Sequence, residues 1–157
     1  MLVEALVYIG LVFVVLGTGY AVMYRCVENS VLLRRNAQDM ASALNAGERW
    51  RADIRASRPP LQIENSETGQ TLRLTIERGE VLYHFETNTV TRCIQGQPVI
   101  RLLSDVKGSE MHASPRQKVT AWQWEMELLP RAKGCSKPGR VRPLFTFTAV
   151  PERGADQ

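Results

Sequence analysis

The sequence predicts an α+β fold. A long N-terminal helix, membrane-spanning in its first half and amphipathic in its second, packs on a small antiparallel β-sheet. Three observations carry this expectation. The chain opens with an almost unbroken apolar run, MLVEALVYIGLVFVVLGTGYAVMY. A helical spacing of apolar residues continues beyond it, with no proline before Pro59. From Pro60 onward the period changes to two, the alternation of half-buried strands.

The apolar run comes first. As a helix, Leu2–Tyr24 spans about 34 Å, enough for a hydrocarbon core of about 30 Å. It lacks a basic n-region, is longer than a signal h-region and is followed by no small-x-small cleavage site, and Tyr24 and Arg25 stand where a lipoprotein site at Cys26 would need small residues. Residues 1–25 therefore read as a retained transmembrane helix. Glu4 is the only charged side chain before Arg25. An unpartnered carboxylate in lipid costs about 2.5–3.5 kcal/mol at the centre and less near an end, so Glu4 is expected to have a partner.

The helix continues over residues 26–58. Leu33, Ala37, Met40, Ala41, Leu44, Gly47 and Ile54 recur at steps that place them on one apolar stripe, expected to pack on the sheet. Arg34, Arg35, Gln38, Asp39, Glu48, Arg49, Asp53 and Arg55 occupy the other faces. The segment SRPP ends the helix, because Pro59 and Pro60 cannot continue it and Arg58 is pushed toward extended geometry.

Residues 59–150 are expected to form the antiparallel β domain. LQIEN is a short strand. TLRLTIE sets Leu72, Leu74 and Ile76 against Arg73, Thr75 and Glu77. Arg78-Gly79 reads as a two-residue hairpin loop into EVLYHFE, and Thr87-Asn88 as the turn into TVTRCIQ. PVIRLLSDV follows, KGSEMHASPRQK (107–118) reads as a surface loop, and VTAWQWEMELL (119–129) alternates again. Trp122, Trp124, Met126 and Leu128 share one parity, the pattern of a core stripe. RAKGCSKPGRVRP is a basic loop, LFTFTAV (144–150) a last strand, and PERGADQ (151–157) a frayed tail.

The chain carries a formal net charge of +4, and every Lys and Arg lies after residue 24. Arg131, Lys133, Lys137, Arg140 and Arg142 form an acid-free cluster suited to an anionic partner, DNA phosphates or lipid headgroups. Nothing else in the sequence asks for nucleic acid. His84 and His112 have no partner at metal-ligand spacing, and neither a phosphate cradle nor a nucleophile elbow occurs. No enzyme activity, metal or cofactor is expected. Cys93 and Cys135 form a candidate disulfide if the β domain lies outside the cytoplasm, which leaves Cys26 at the membrane surface unpaired.

The segment LVEALV, the apolar run after it, the amphipathic continuation and the β domain together resemble the type IV pilin and type II secretion pseudopilin superfamily. Leu2, Val3 and Glu4 stand where that family has Leu-(Ile/Val)-Glu. VLYHFETNTVTRC, IRLLSDVKGSEM, VTAWQWEMELLP and LFTFTAVP are similar, at pattern level, to J-type minor pseudopilins.

The resemblance implies a mechanical role. Such subunits wait in the bacterial inner membrane with the globular domain in the periplasm, and assemble with other pilin-like subunits into a filament. Glu4 would be the assembly residue that neutralises a neighbour's N-terminal amine. Arg25, Arg34 and Arg35 follow the apolar run, which by itself favours a cytoplasmic C-terminus; in the family a basic leader, cut by a prepilin peptidase, settles orientation. The expectation is that such a leader and one mature residue precede Met1. The primary expectation is a minor pseudopilin of a type II secretion system. The alternatives are a minor pilin of a competence or type IV pilus system contacting DNA, and a single-pass anchor for a β domain with no filament.

Overall fold

The computed structural model describes residues 2–67, 69–117, 119–129 and 144–152. The expected basic loop, and all but the start of the expected tail, lie outside these residues. The chain forms two compact units, Met1–Asp39 and Met40–Gln157.

The first unit is helix alone. It belongs to α1 (Leu2–Ala56), uninterrupted because neither proline nor a run of turn-forming residues occurs within it. The helix is long and apolar enough to cross a membrane, and none of its apolar window is buried within the chain. Thr18 donates its hydroxyl back to the Val14 and Val15 carbonyls, and Ser30 donates to the Val27 carbonyl. These polar side chains thereby satisfy themselves on the helix.

Among the described residues, the second unit holds the end of α1 and eight strands. These are β1 (Arg58–Ser66), β2 (Gly69–Ile76), β3 (Gly79–Glu86), β4 (Thr89–Ile94), β5 (Ile100–Leu103), β6 (Val106–Pro115), β7 (Thr120–Leu128) and β8 (Leu144–Ala149). The expected α+β layout is present, but the strands divide between two sheets. β1 to β5 form a five-stranded antiparallel meander, and β6, β7 and β8 a three-stranded one. The division falls at Ser104-Asp105, where Asp105 takes φ 60° and turns the chain into the second sheet. The Val106 amide donates to the Asn88 carbonyl and the Leu129 amide to the Asp105 carbonyl, tying this corner.

Three local expectations need correction. The β2–β3 loop is Glu77-Arg78 rather than Arg78-Gly79; Gly79 pairs with Ile76 and supplies the positive φ of 120°. Of the expected surface loop 107–118, residues 107–115 are instead strand, because Val106–Pro115 is β6. Its own alternation is weak. A register shift between Val106 and Gly108 breaks the period of two, so Val106 and Met111 both reach the core. Pairing with the strongly patterned β7 makes β6 a strand. The Thr87-Asn88 turn is as expected, with φ of 46° and 64° at its two residues, as a type I′ hairpin requires.

The third correction concerns the helix face. Leu33, Met40 and Leu44 are 69%, 48% and 51% exposed. The buried face is Ala43, Ala46, Gly47, Trp50 and Ile54. Here the contact is close enough that small residues are needed at three of five positions, and a single Trp fills the remaining volume. Large aliphatic side chains at 40 and 44 point elsewhere. The core beneath contains Leu72, Leu74, Val81, Tyr83 and Val90 from the first sheet, and Met111, Trp124, Met126, Phe147 and Ala149 from the second. Trp122, Trp124, Met126 and Leu128 are all buried, as their parity predicts.

Gly47 lies flush against the Phe147 ring, and a Cβ there would enter the ring's van der Waals shell. In an open helix Gly→Ala gains about 0.8–1 kcal/mol. Phe147 is buried, and its ring packs 5.7 Å from Trp124 and 6.4 Å from Phe145, so it has little room to give. Gly47→Ala is therefore expected to destabilise by about 1–2 kcal/mol, the overpacking cost exceeding the helix gain. Chemical denaturation followed by tryptophan fluorescence checks the sign.

Candidate functional site

The first unit offers one charged group on a long apolar surface. Glu4 lies in the first turn of α1 and is exposed, with no other Asp, Glu, Lys or Arg until Arg25. Amide groups in a helix's first turn have no intrahelical acceptor, and the helix dipole favours a carboxylate there by about 0.3–1 kcal/mol. This arrangement can hold a cationic partner at the apolar end of the helix.

In the second unit, α1 is fastened to the first sheet by a polar cluster at Asp53. The Asp53 side chain is only 14% exposed, and Arg92 on β4 only 13%. Arg92 donates from Nε to Asp53 Oδ2 at 2.7 Å and from Nη2 to Oδ1 at 3.0 Å, a two-pronged guanidinium–carboxylate pair. The Tyr83 hydroxyl donates to Oδ2 at 2.6 Å. The hydrogen bond that Arg92 donates to Asp53 raises the Arg92 pKa against the opposing effect of burial. Burial first, then the Asp53 charge, pushes the Tyr83 phenol well above its ordinary value of 10. The sequence placed Asp53 among solvated residues. Only the pairing of β3 with β4, which sets Tyr83 opposite Arg92, brings the three together.

The sign of the Tyr83 effect is fixed by linkage. A folded-state pKa raised above the unfolded value means its contribution is complete below pH 10 and declines above it, because the unfolded chain ionises first. Tyr83→Phe is expected to cost about 1.5–3 kcal/mol at neutral pH, as a hydrogen bond to a charged group is lost. It should also flatten the fall in melting temperature above pH 10. Thermal melts of both proteins across that range measure this.

A second polar row crosses the outer face of the first sheet. Thr71 Oγ1 lies 2.7 Å from His84 Nδ1, and His84 Nε2 lies 3.0 Å from Glu86 Oε2. Hydroxyl, imidazole and carboxylate stand in line, yet His84 and Glu86 are substantially exposed on an open sheet face. A working nucleophile and base need a cleft that orients substrate and excludes water. A groove of about 400 Å³ lies elsewhere, lined by Pro59, Pro60, Leu61, Trp122, Val150 and Pro151 among others. Among the described residues no group of three or more His, Cys, Asp and Glu can hold a metal ion.

Of the cysteines, Cys93 is a half-buried thiol on β4 with Sγ 3.8 Å from the Ile94 carbonyl oxygen, and Cys26 is an exposed thiol on α1. Neither is in a disulfide among the described residues. Cys135, the expected partner of Cys93, lies outside them, as do Arg131, Lys133, Lys137, Arg140 and Arg142. Comparison with family models, with curated proteins and with solved structures finds no match to this chain.

Proposed function

We propose that the chain is a pilin-like structural subunit, a minor pseudopilin of a bacterial type II secretion system, held in the inner membrane with its β domain in the periplasm. The observation that carries this reading is α1. One uninterrupted helix presents a membrane-length apolar surface with no cover of its own, a lone acid in its first turn, and a continuation that supplies one wall of a β domain's core. A simple anchor has no need of an acid near its apolar end, where it costs free energy unless partnered. A subunit that assembles through its helix has a use for both the uncovered apolar surface and the acid. Its partners are then other pilin-like subunits, membrane lipid and a prepilin peptidase.

The test uses Glu4→Ala in the native host. The variant is expected to reach wild-type levels in the membrane but to lose incorporation into filaments, scored by shearing, sedimentation and cross-linking to neighbouring subunits. Wild-type incorporation would remove Glu4 from assembly. Failure to copurify with any pilin-like subunit would leave only the anchored β domain.

A further inference from the structure

We infer that Gln70 closes the free edge of β6, and so keeps the second sheet from taking a strand from another copy of this chain. The inference rests on the β domain and is independent of the filament reading.

β6 pairs with β7 and is the outermost strand of its sheet. An antiparallel strand directs its main-chain groups alternately to its two sides, so every second residue of β6 offers an N–H and a C=O away from β7. Met111 is one of these. Its amide donates to Gln70 Oε1 at 2.6 Å, and its carbonyl accepts from Gln70 Nε2 at 3.0 Å. A side-chain amide carries the same donor and acceptor as a peptide group, so Gln70 bonds Met111 as the backbone of a next strand would. Nε2 also donates to Asn65 Oδ1 at 3.0 Å, which orients the amide. Gln70 reaches this place from β2, 41 residues earlier in the chain.

The rest of β6 has the marks of an edge that stays unpaired. Counted in twos from Met111, the residues Ser109, Ala113 and Pro115 turn their main chains to the same side. Pro115 has no N–H to offer a further strand there. Near the other end, the register shift between Val106 and Gly108 breaks the ladder. Between the irregularity and the proline, Ser109, Met111 and Ala113 form the regular run, and Gln70 occupies its centre. Ala113 is exposed, so the run reaches solvent.

A second copy carries a strand that this edge would take. A helix able to cross a membrane concentrates copies of the chain in it. Two β6 edges related by a two-fold axis through Met111 would pair antiparallel, with Ser109 of each opposite Ala113 of the other. These residues are small and uncharged, so neither bulk nor charge opposes the pairing. The occupied main chain of Met111 does.

The test is Gln70→Met, which keeps the side-chain length and removes the amide. In the detergent-solubilised full chain, hydrogen exchange at the Met111 amide is expected to be at least about tenfold faster than in the wild type, while the amides of β7 keep their rates. Light scattering at equal concentration should show a larger dimer fraction. Adding Ala113→Lys places a charge on the opened edge, and should return the dimer fraction to the wild-type level without slowing exchange at Met111. Gln70→Glu still accepts from the Met111 amide and should exchange more slowly than Gln70→Met. Unchanged exchange at Met111 in Gln70→Met would overturn the closure. So would fast exchange with no added dimer, or a dimer that Ala113→Lys leaves in place. Should Gln70→Met fail to fold, Asn65→Ala loosens the amide without removing it, and must shift Met111 exchange and dimer fraction in the same direction for the inference to stand.

Discussion

Trp50→Ala is expected to destabilise the β domain by about 3–5 kcal/mol, the range for removing a fully buried large aromatic. Trp50 is wholly inaccessible, with its ring 5.8 Å from Trp124, itself in contact range of Tyr83 and Phe147. Its loss opens a cavity where α1 meets both sheets, against a total stability of about 5–15 kcal/mol for such a domain. Leu44→Asp is the matched control. It lies on the same helix within two turns, yet is half exposed, so a change within about 0.5 kcal/mol is expected. Denaturant titration of the detergent-solubilised chain, followed by the fluorescence of Trp122 and Trp124, compares the two. A large loss from Leu44→Asp, with none from Trp50→Ala, would reverse the assigned helix face.

That contrast marks how far the sequence could be read. The length of α1, the place where it ends, the switch to a period of two and the buried parity of β7 were all legible, because each rests on a local rule. The face of α1 that packs was legible only in part. Gly47 and Ile54 of the expected stripe are buried, but counting large apolar residues also selects Leu33, Met40 and Leu44, whereas close approach to a sheet selects Ala43 and Ala46 beside Gly47. That requirement comes from the opposing Phe147, remote in sequence. β6 was hidden for a related reason, since its identity comes from its neighbour. At the candidate site Glu4 was legible as the sole acid in an apolar run. The Asp53 cluster was not, because strand register decides its membership.

Asp53→Ala is expected to cost about 3–5 kcal/mol, comparable to Trp50→Ala despite the smaller side chain. The loss does not measure the worth of the ion pair. It reflects Arg92 left charged in a site where little water reaches it. Replacing both partners with apolar residues, Asp53→Leu together with Arg92→Met, should therefore recover much of the single variant's loss. A double-mutant cycle by chemical denaturation reads this. A double variant as unstable as the sum of its singles would mean that the three groups contribute independently. Asp53→Asn should fall between, since a neutral amide oxygen still accepts from Tyr83.

The pairing of Gly47 with Phe147, and of the Arg55 carbonyl with the Glu152 amide, has a consequence for the order of events during biosynthesis. The ribosome makes α1 before the strands and β8 after the other seven. The Gly47 side of α1 therefore lacks its Phe147 cover while seven strands are made, even though Trp50 can already meet Trp124 of β7. Contacts so distant along the chain are slow to form and leave intermediates with exposed apolar surface. A nascent chain anchored by α1 would accordingly remain open, and within reach of chaperones and proteases, until β8 emerges. Release of β8 then becomes the event that commits the domain to its fold.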